Sequence, residues 1–437
     1  MSKGIDMRRE RTLISEIPEK VGSTVTLYGW VHEVRDTARF IFIILRDRSG
    51  FAQITIPKQS MSELISVASR LHHEDVIMVH GTVVKSEIAK LGYEIIPNSV
   101  EILSRAIHPL PLDVTGKTPA DLDTKLDARY LSLRSADNQA IFKIQTTALM
   151  AMREYLWKNG YIEMISPRII AYASEGGADL FAVDYFGKKV FLAQSPQLYK
   201  EMLAGAFERV FEIGLFYRAE KSRTTYHLTE FVSVDVEEAF VNMDEITETL
   251  ENLVKHVIEK VKENNKKELE ILNHKLPPIN SSFKRITYDE AVEIVKSKGI
   301  EMNWGEDFGA PQMKALSEEF TSQFYFIIDW PSQLRPFYTK PDPKRPEICK
   351  AFDLVYEWLE IASGSERITD KDLFMQNLLK RGLNPADFEI FIKYLSSGAP
   401  PHAGFGLGLS RLMLILTGKK NIKEVTMFPR DVDRLKP

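Results

Sequence analysis

The sequence predicts an α+β protein with a small all-β domain ahead of a larger mixed one, and three observations predict it. Five short β-branched and aromatic segments crowd the region from Val25 to Ser104. A stretch punctuated by proline and glycine follows them. Beyond it, strands and helices interleave without the regular alternation that marks a parallel sheet. The 437 residues suffice for two or three domains with one large core. A hydrophobic fraction of 44% and a charged fraction of 27% are ordinary for a globular chain.

Each element follows from local chemistry. VTLYGWV, FIFIILRD, FAQITI, VIMVHGTVV and YEIIPNSVEIL read as strands separated by turn signals. With the helical MSELISVASRLHH between the third and fourth, they suit a five-stranded OB-like barrel over 1–108. His108-Pro-Leu-Pro-Leu-Asp and Thr115-Gly-Lys-Thr-Pro mark a linker, and the charged run Asp121–Arg134 suits a short hinge helix, so 109–135 is the expected hinge. A long periodic helix over 138–159 closes at Gly160. Tyr161–Pro167 reads as a strand ended by proline. Then KVFLAQS, FEIGLFYRAE, EFVSVDVEEAF, FYFIIDW, EICKAFDLVY and WLEIASGSER read as strands, and Met243–Lys267 as one amphipathic helix, within a domain spanning 136–437.

Bulk properties exclude some classes. The net charge is −4, so any nucleic-acid contact needs a local basic surface. The single cysteine, Cys349, excludes an internal disulfide framework and a cysteine zinc cluster, and it suits a reducing cytoplasm. The first residues are too charged for a secretory signal, and no apolar run is long enough for a bilayer, so no membrane partner is expected.

Three segments carry chemistry. In Phe216-Tyr-Arg218-Ala219-Glu220, Arg218 and Glu220 would share one face of a strand. Arg218 can clamp a phosphate, and Glu220 can accept from an exocyclic amine. A solvated surface strand would carry the same pair. In Pro400–Arg411, glycines alternate at 404, 406 and 408, and Arg411 sits just inside a helix. Such glycines let a ligand or another chain approach closely, and a helix start with an arginine suits an anion. The segment is neither a Walker A loop nor a dinucleotide fingerprint. Asp353, Glu360 and Ser363 offer hard oxygen ligands for Mg²⁺ held mostly through phosphates, with Arg367 beyond them. Carboxylates seven apart are also common surface charges, but Glu360 lies within the apolar run Trp358-Leu-Glu-Ile-Ala, where an unpaired carboxylate is costly. The three segments together are equipment for binding ATP, with Phe231 as an adenine shelf. No Ser/His/Asp triad or reactive cysteine is evident. A bound carboxylate is itself a nucleophile, so positioning and charge stabilisation suffice.

These segments resemble the three signature motifs of class II aminoacyl-tRNA synthetases: Tyr161–Pro167 the first, FYRAE…HLTEF the second, GFGLGLSR the third. With an OB-like barrel ahead, the resemblance narrows to the aspartate, asparagine and lysine subgroup. It covers nearly the whole chain and is nearest the aspartyl family of archaeal and eukaryotic type. It implies the class II antiparallel-sheet catalytic domain flanked by helices, a homodimer, L-aspartate, ATP with Mg²⁺, and tRNA(Asp), with tRNA(Asn) left open as a second acceptor.

The resemblance also implies roles. Arg218, Glu360 and Arg411 would be catalytic. Arg218, Ala219, Glu220, Tyr226, His227, Leu228, Phe231, Glu360, Gly408, Leu409, Ser410 and Arg411 would line ATP. Glu360 and Ser363, with Asp353, would hold the metal. Glu175, Gln197, Leu198, Tyr199, Lys200, Arg218, Asp235, Ser363 and Arg367 would surround aspartate, with Glu175 meeting the α-ammonium group and Asp235 orienting Lys200. Asparaginyl relatives carry a neutral residue where this chain has Lys200. Two cations, Lys200 and Arg367, suit a side-chain carboxylate, and asparagine would leave both unpaired. By itself Lys200 would be an ordinary surface lysine of a helix. Thr369 replaces the family's usual histidine. In the barrel, Arg35, Phe42 and Gln53 match positions that meet anticodon bases, although a phenylalanine also fills barrel cores. His32 and Lys90 match the positions that govern acceptance of tRNA(Asn). The rival readings are an asparaginyl ligase, which Lys200 opposes, a lysyl ligase, which a cationic pocket repels, and an adenylate-forming paralogue that charges no tRNA, which the barrel opposes.

Overall fold

The computed structural model describes residues 11–87, 89, 91–172, 180–279 and 281–436; Lys90 and Glu175 lie outside them. The chain divides into two compact units, Met1–Ser132 and Leu133–Pro437, and the division falls within the expected hinge.

In the first unit, β1 (Thr24–Asp36), β2 (Phe40–Arg46), β3 (Phe51–Pro57), β4 (Val76–Lys85) and β5 (Tyr93–Ser104) close into a barrel in the order β1-β2-β3-β5-β4. The expected helix between the third and fourth strands is Ser62–Ala68. Strand alternation sends Ile41, Ile43 and Leu45 into the barrel core. Phe42 therefore points outward. The charged run after the barrel forms two short helices, Leu122–Asp127 and Arg129–Ser132, the first capped by Asp121 on the Thr124 amide.

In the second unit the strands are β6 (Ile162–Glu163), β7 (Ile169–Ile170), β8 (Ala182–Tyr185), β9 (Lys188–Leu192), β10 (Arg209–Tyr217), β11 (Glu230–Ala239), β12 (Lys284–Thr287), β13 (Phe324–Ile328), β14 (Ala351–Tyr356), β15 (Leu359–Glu366) and β16 (His402–Gly408). Eight of them form one sheet in the order β12-β13-β14-β15-β16-β11-β10-β6. Its centre is antiparallel, and the outermost pairs, β12–β13 and β10–β6, are parallel. β7, β9 and β8 make a smaller sheet.

The large sheet has two unlike faces. Val234 and Val236 of β11 and Ala403, Phe405 and Leu407 of β16 pack into a core with the helices Ala136–Lys158, Met243–Asn264 and Leu409–Thr417. The alternate residues face the other way and build the site. The long helix expected to run to Lys267 ends at Asn264; a separate helix, Lys266–Ile271, follows. Its start is strongly specified by Asn242 and Glu245, which form a reciprocal capping box.

Candidate active site

A cavity of ≈ 440 Å³ opens on this second face of the sheet, of the size that holds a small-molecule ligand. Three strands supply its floor. From β11 come Ser233 and Asp235; from β15, Glu360, Ser363 and Ser365; from β16, Gly406 and Gly408.

The alternating glycines of β16 now have a physical cause. A Cβ at Gly404 would collide with the Glu237 carboxylate, and one at Gly406 would press on Asp235 Oδ1 at 3.3 Å. β16 pairs with β11, setting Asp235 against Gly406 and Glu237 against Gly404. The strand is bare on this face because two carboxylates from its neighbour lie across it.

Those carboxylates hold two buried cations. Lys200 Nζ donates to Asp235 Oδ1 and to the Phe405 carbonyl, both at 3.0 Å, and lies 3.5 Å from Glu237 Oε2. Arg367 grips Glu237 with Nε at 2.8 Å and Nη2 at 3.0 Å, and donates to Ser365 Oγ at 2.7 Å. Burial opposes ionisation of Glu237, but Arg367 and Lys200 outweigh it and hold its pKa below the usual carboxylate value. Asp235 Oδ2 is buried and has no hydrogen-bond partner among the described residues.

Lys200 is thus 1% exposed, not a surface lysine. It stands behind Asp235 rather than on the cavity wall, which Gln197, Asp235 and Arg367 do reach. Helical periodicity explains which neighbours join it. Gln197, Lys200, Glu201 and Ala204 share the buried face of the helix Gln197–Phe207. Leu198 and Tyr199 fall on other faces and pack in separate apolar clusters, so the structure does not place them at the cavity.

The nucleotide-type residues gather at the other end. β10 stops at Tyr217, so Arg218 and Glu220 sit on the loop after it rather than on a shared strand face. Both still line the cavity, with Tyr226, His227, Leu228 and Phe231. The Arg218 guanidinium lies 5.3 Å over the Phe231 ring and makes no ion pair among the described residues. Arg411 donates to the Glu360 carbonyl at 2.9 Å and to Glu360 Oε1 at 3.2 Å. Burial and the nearby Arg411 lower the pKa of His227. Gly408 and Ser410 line the cavity, whereas Leu409 turns into the hydrophobic core. Ala219 is half-buried and off the wall.

Glu360 and Ser363 are three apart, a spacing that puts side chains on opposite faces of a regular strand. Here both face the cavity because the β14–β15 register slips: Val355 pairs with Glu360 but Leu354 with Ala362, leaving Ile361 as a bulge. Asp353 is engaged by an arginine. Arg335 holds both of its oxygens, Nη1 at 3.0 Å and Nη2 at 2.5 Å. Arg335 also donates to Ser363 Oγ at 3.2 Å and lies 3.8 Å over the Trp330 ring. Arg335, on the cavity wall, escaped the sequence reading; its signal was a cation inside the apolar run Leu334-Arg-Pro-Phe-Tyr.

On the barrel, Arg35 and Phe42 are cross-strand partners, and Phe42 lies 5.7 Å from the Phe40 ring. Gln53 Nε2 donates to Glu94 at 3.0 Å. Hydrogen bonds from Arg35 and Lys117 hold Glu33 down to about 2. His32 occupies a bulge in β1, and Arg46 Nη1 meets its Nδ1 at 3.3 Å. Since arginine only donates, that nitrogen is the acceptor and the proton sits on Nε2.

A closed barrel in one unit and an antiparallel sheet carrying this cavity in the other are the parts of a class II synthetase with an anticodon-type domain. The chain belongs to the tRNA synthetases of class II (D, K and N): that family's model matches residues 121–432, and the model of the OB-fold nucleic acid binding domain matches 25–103. It is therefore an ATP-dependent aminoacyl-tRNA ligase. Similar proteins include the Aspartate–tRNA(Asp/Asn) ligase of Sulfurisphaera tokodaii, 47% identical over 99% of this chain and 100% of that one. The ligase of the same name from Methanocaldococcus jannaschii is 48% identical over 96% of each. Among solved structures, asparaginyl-tRNA synthetase from Pyrococcus horikoshii complexed with asparaginyl-adenylate superposes with a TM-score of 0.94 at 34% identity, over 98% of this chain and 100% of that one. The aspartyl-tRNA synthetase of Entamoeba histolytica gives 0.88 at 30%, over 98% and 93%.

Proposed function

We propose that this chain activates L-aspartate with MgATP to aspartyl-adenylate and transfers the aspartyl group to the 3′ end of tRNA(Asp) and of tRNA(Asn). One observation carries the choice of amino acid: two buried cations, Arg367 on the cavity wall and Lys200 directly behind Asp235. A substrate side-chain carboxylate shares them with Asp235 and Glu237. An amide would not, and a buried charge left short of a partner is costly. Asp235 Oδ2, the buried acceptor without a partner among the described residues, suits the α-ammonium group.

The remaining residues divide the work by position. Arg218, free of ion pairs among the described residues, draws the substrate α-carboxylate and the α-phosphate together. Glu220 and Phe231 take the adenine; Tyr226, His227 and Leu228 line the nucleotide, and Arg411 meets its far phosphates. Glu360 and Ser363 offer hard oxygen donors that suit Mg²⁺. No group of three or more His, Cys, Asp or Glu stands ready to hold a metal among the described residues. An ion there needs the nucleotide's own phosphate oxygens. When bound, it neutralises charge on the departing pyrophosphate. Arg218 and Arg411 meanwhile fix the phosphates in line, and closure around the ligand excludes water.

Arg35, Phe42 and Gln53 form an anticodon-reading surface, with His32 and Lys90 setting tolerance for tRNA(Asn). Ile162, Ile165 and Ile169 are exposed on and after β6, which supports pairing of two copies through this segment. No helix among the described residues is long and apolar enough to cross a membrane, and we assign the chain to the cytoplasm. Pyrophosphate exchange with each amino acid tests the proposal. Aspartate should support it and asparagine should not; the reverse overturns it. Charging purified tRNA(Asp) and tRNA(Asn) in parallel tests the two acceptors, and a blank with tRNA(Asn) removes the second.

A further inference from the structure

One wall residue, Gln197, has an amide whose two ends are chemically opposite, a donating NH₂ and an accepting carbonyl. Its Nε2 donates to Glu201 Oε1 at 2.6 Å. The two residues are four apart on one helix face. No hydrogen bond to the Gln197 carbonyl oxygen occurs among the described residues, and Gln197 lines the cavity. The other oxygen of Glu201, Oε2, lies 3.2 Å from His402 Nε2, and both side chains are 0% exposed. His402 Nδ1 in turn faces the Pro400 carbonyl at 2.8 Å.

These contacts leave little choice of protonation. Both ring nitrogens of His402 face oxygen acceptors, so the ring carries both protons and a positive charge. Burial pulls its pKa down, but the Glu201 hydrogen bond and charge, with Glu237 and the Pro400 carbonyl, carry it above the ordinary value. With Oε2 taken by the His402 imidazolium, Glu201 presents Oε1 to Gln197 as an acceptor. Turning the Gln197 amide over would set carbonyl against carboxylate.

We infer that Glu201 and His402 are positioning residues that lock the Gln197 amide with its carbonyl oxygen toward the cavity, as an acceptor for the α-ammonium group of the amino acid. Of the charged groups on aspartate, only the ammonium can donate to it. The inference rests on the reading that the cavity takes an amino acid. It extends the site by one layer, from the wall residue to a buried ion pair that never touches substrate.

The test is Glu201→Gln, which keeps shape but lets residue 201 donate, so that the Gln197 amide is no longer forced. In the full chain, KM for aspartate in pyrophosphate exchange should rise about tenfold, the effect of roughly one lost charge-assisted hydrogen bond. KM for ATP should stay unchanged. Succinate, which lacks the ammonium group, should lose nothing as a competitor, so its disadvantage against aspartate should shrink by the same factor. A folded E201Q with unchanged KM for aspartate, or with equal losses for aspartate and succinate, overturns the inference. Should E201Q not fold, NMR of ring-labelled histidine in the wild type decides: a doubly protonated His402 near neutral pH supports the lock, a neutral ring overturns it. Failure of the underlying reading shows separately, as wild-type enzyme that gives no exchange with aspartate at all.

Discussion

Lys200 is the residue whose chemistry the structure altered most. In a helix sequence it is one lysine among many, yet its ammonium is enclosed by Asp235, Glu237 and a backbone carbonyl. Removing one partner of such a cluster costs roughly 3–5 kcal/mol, because the remaining charges lose their compensation. Lys200→Leu should lower the unfolding free energy on that scale. It should cripple aspartate-dependent exchange and leave ATP binding, followed by nucleotide titration, nearly intact. His402 gives a pH signature of its own. Its folded pKa is raised, so its pairing with Glu201 contributes fully below the ordinary histidine value of 6.5 and is lost as pH rises through the folded value. The stability gap between wild type and His402→Asn, measured by denaturant titration from about pH 6 to about pH 9, should therefore narrow with rising pH.

Among elements, β15 is the one that spacing alone misjudges. Glu360 and Ser363, three apart, would take opposite faces of a regular strand, and the bulge at Ile361 brings both to the cavity. Deleting Ile361 would leave Glu360 and Ser363 two apart on a regular strand, still on one face. Exchange by the folded deletion variant should therefore keep its Mg²⁺ requirement, read from a metal titration of the rate. A sharply raised Mg²⁺ requirement would show that the bulge itself, beyond the shared face, sets the two donors. The same contrast explains what could be read in advance. Strands and long helices were legible because their apolar periodicity is strong, as in β2 and β11. The glycine alternation was legible too, although not the carboxylates that require it. Leu198 and Tyr199 were misplaced because a motif names a run of residues, whereas a helix shows only one face of that run. Arg335 was missed because it sits in an irregular segment, where no period marks which way a side chain points. For the same reason the pairing of Arg335 with Asp353 was not legible in the sequence.

For the whole molecule, the architecture separates two kinds of reading. The cavity is lined entirely by residues of the second unit. The outward aromatic Phe42 belongs to the first, whose core is filled without it by Ile41, Ile43 and Leu45. Phe42→Ala should therefore leave aspartate-dependent exchange at the wild-type rate. It should weaken tRNA charging by roughly 1–3 kcal/mol, seen as a higher KM for tRNA. Equal losses in both assays would mean that Phe42 supports folding rather than recognition. With a net charge of −4, binding of the polyanion depends on local basic patches, and charging should weaken steeply with added salt while exchange does not.

The bare face of β16 limits how this pocket can be recast. Redesigning an amino-acid site usually means enlarging or shrinking residues around it, but Gly404 and Gly406 already have their missing side chains replaced by Glu237 and Asp235. A Cβ at Gly404 also meets the Val236 carbonyl, which no exchange of Glu237 removes, and one at Gly406 needs Asp235 to yield by a few tenths of an ångström. The carboxylates in turn restrain Lys200 and Arg367, so a new amino-acid preference has to be engineered from the helix Gln197–Phe207 or from the Arg335 wall rather than from Gly404.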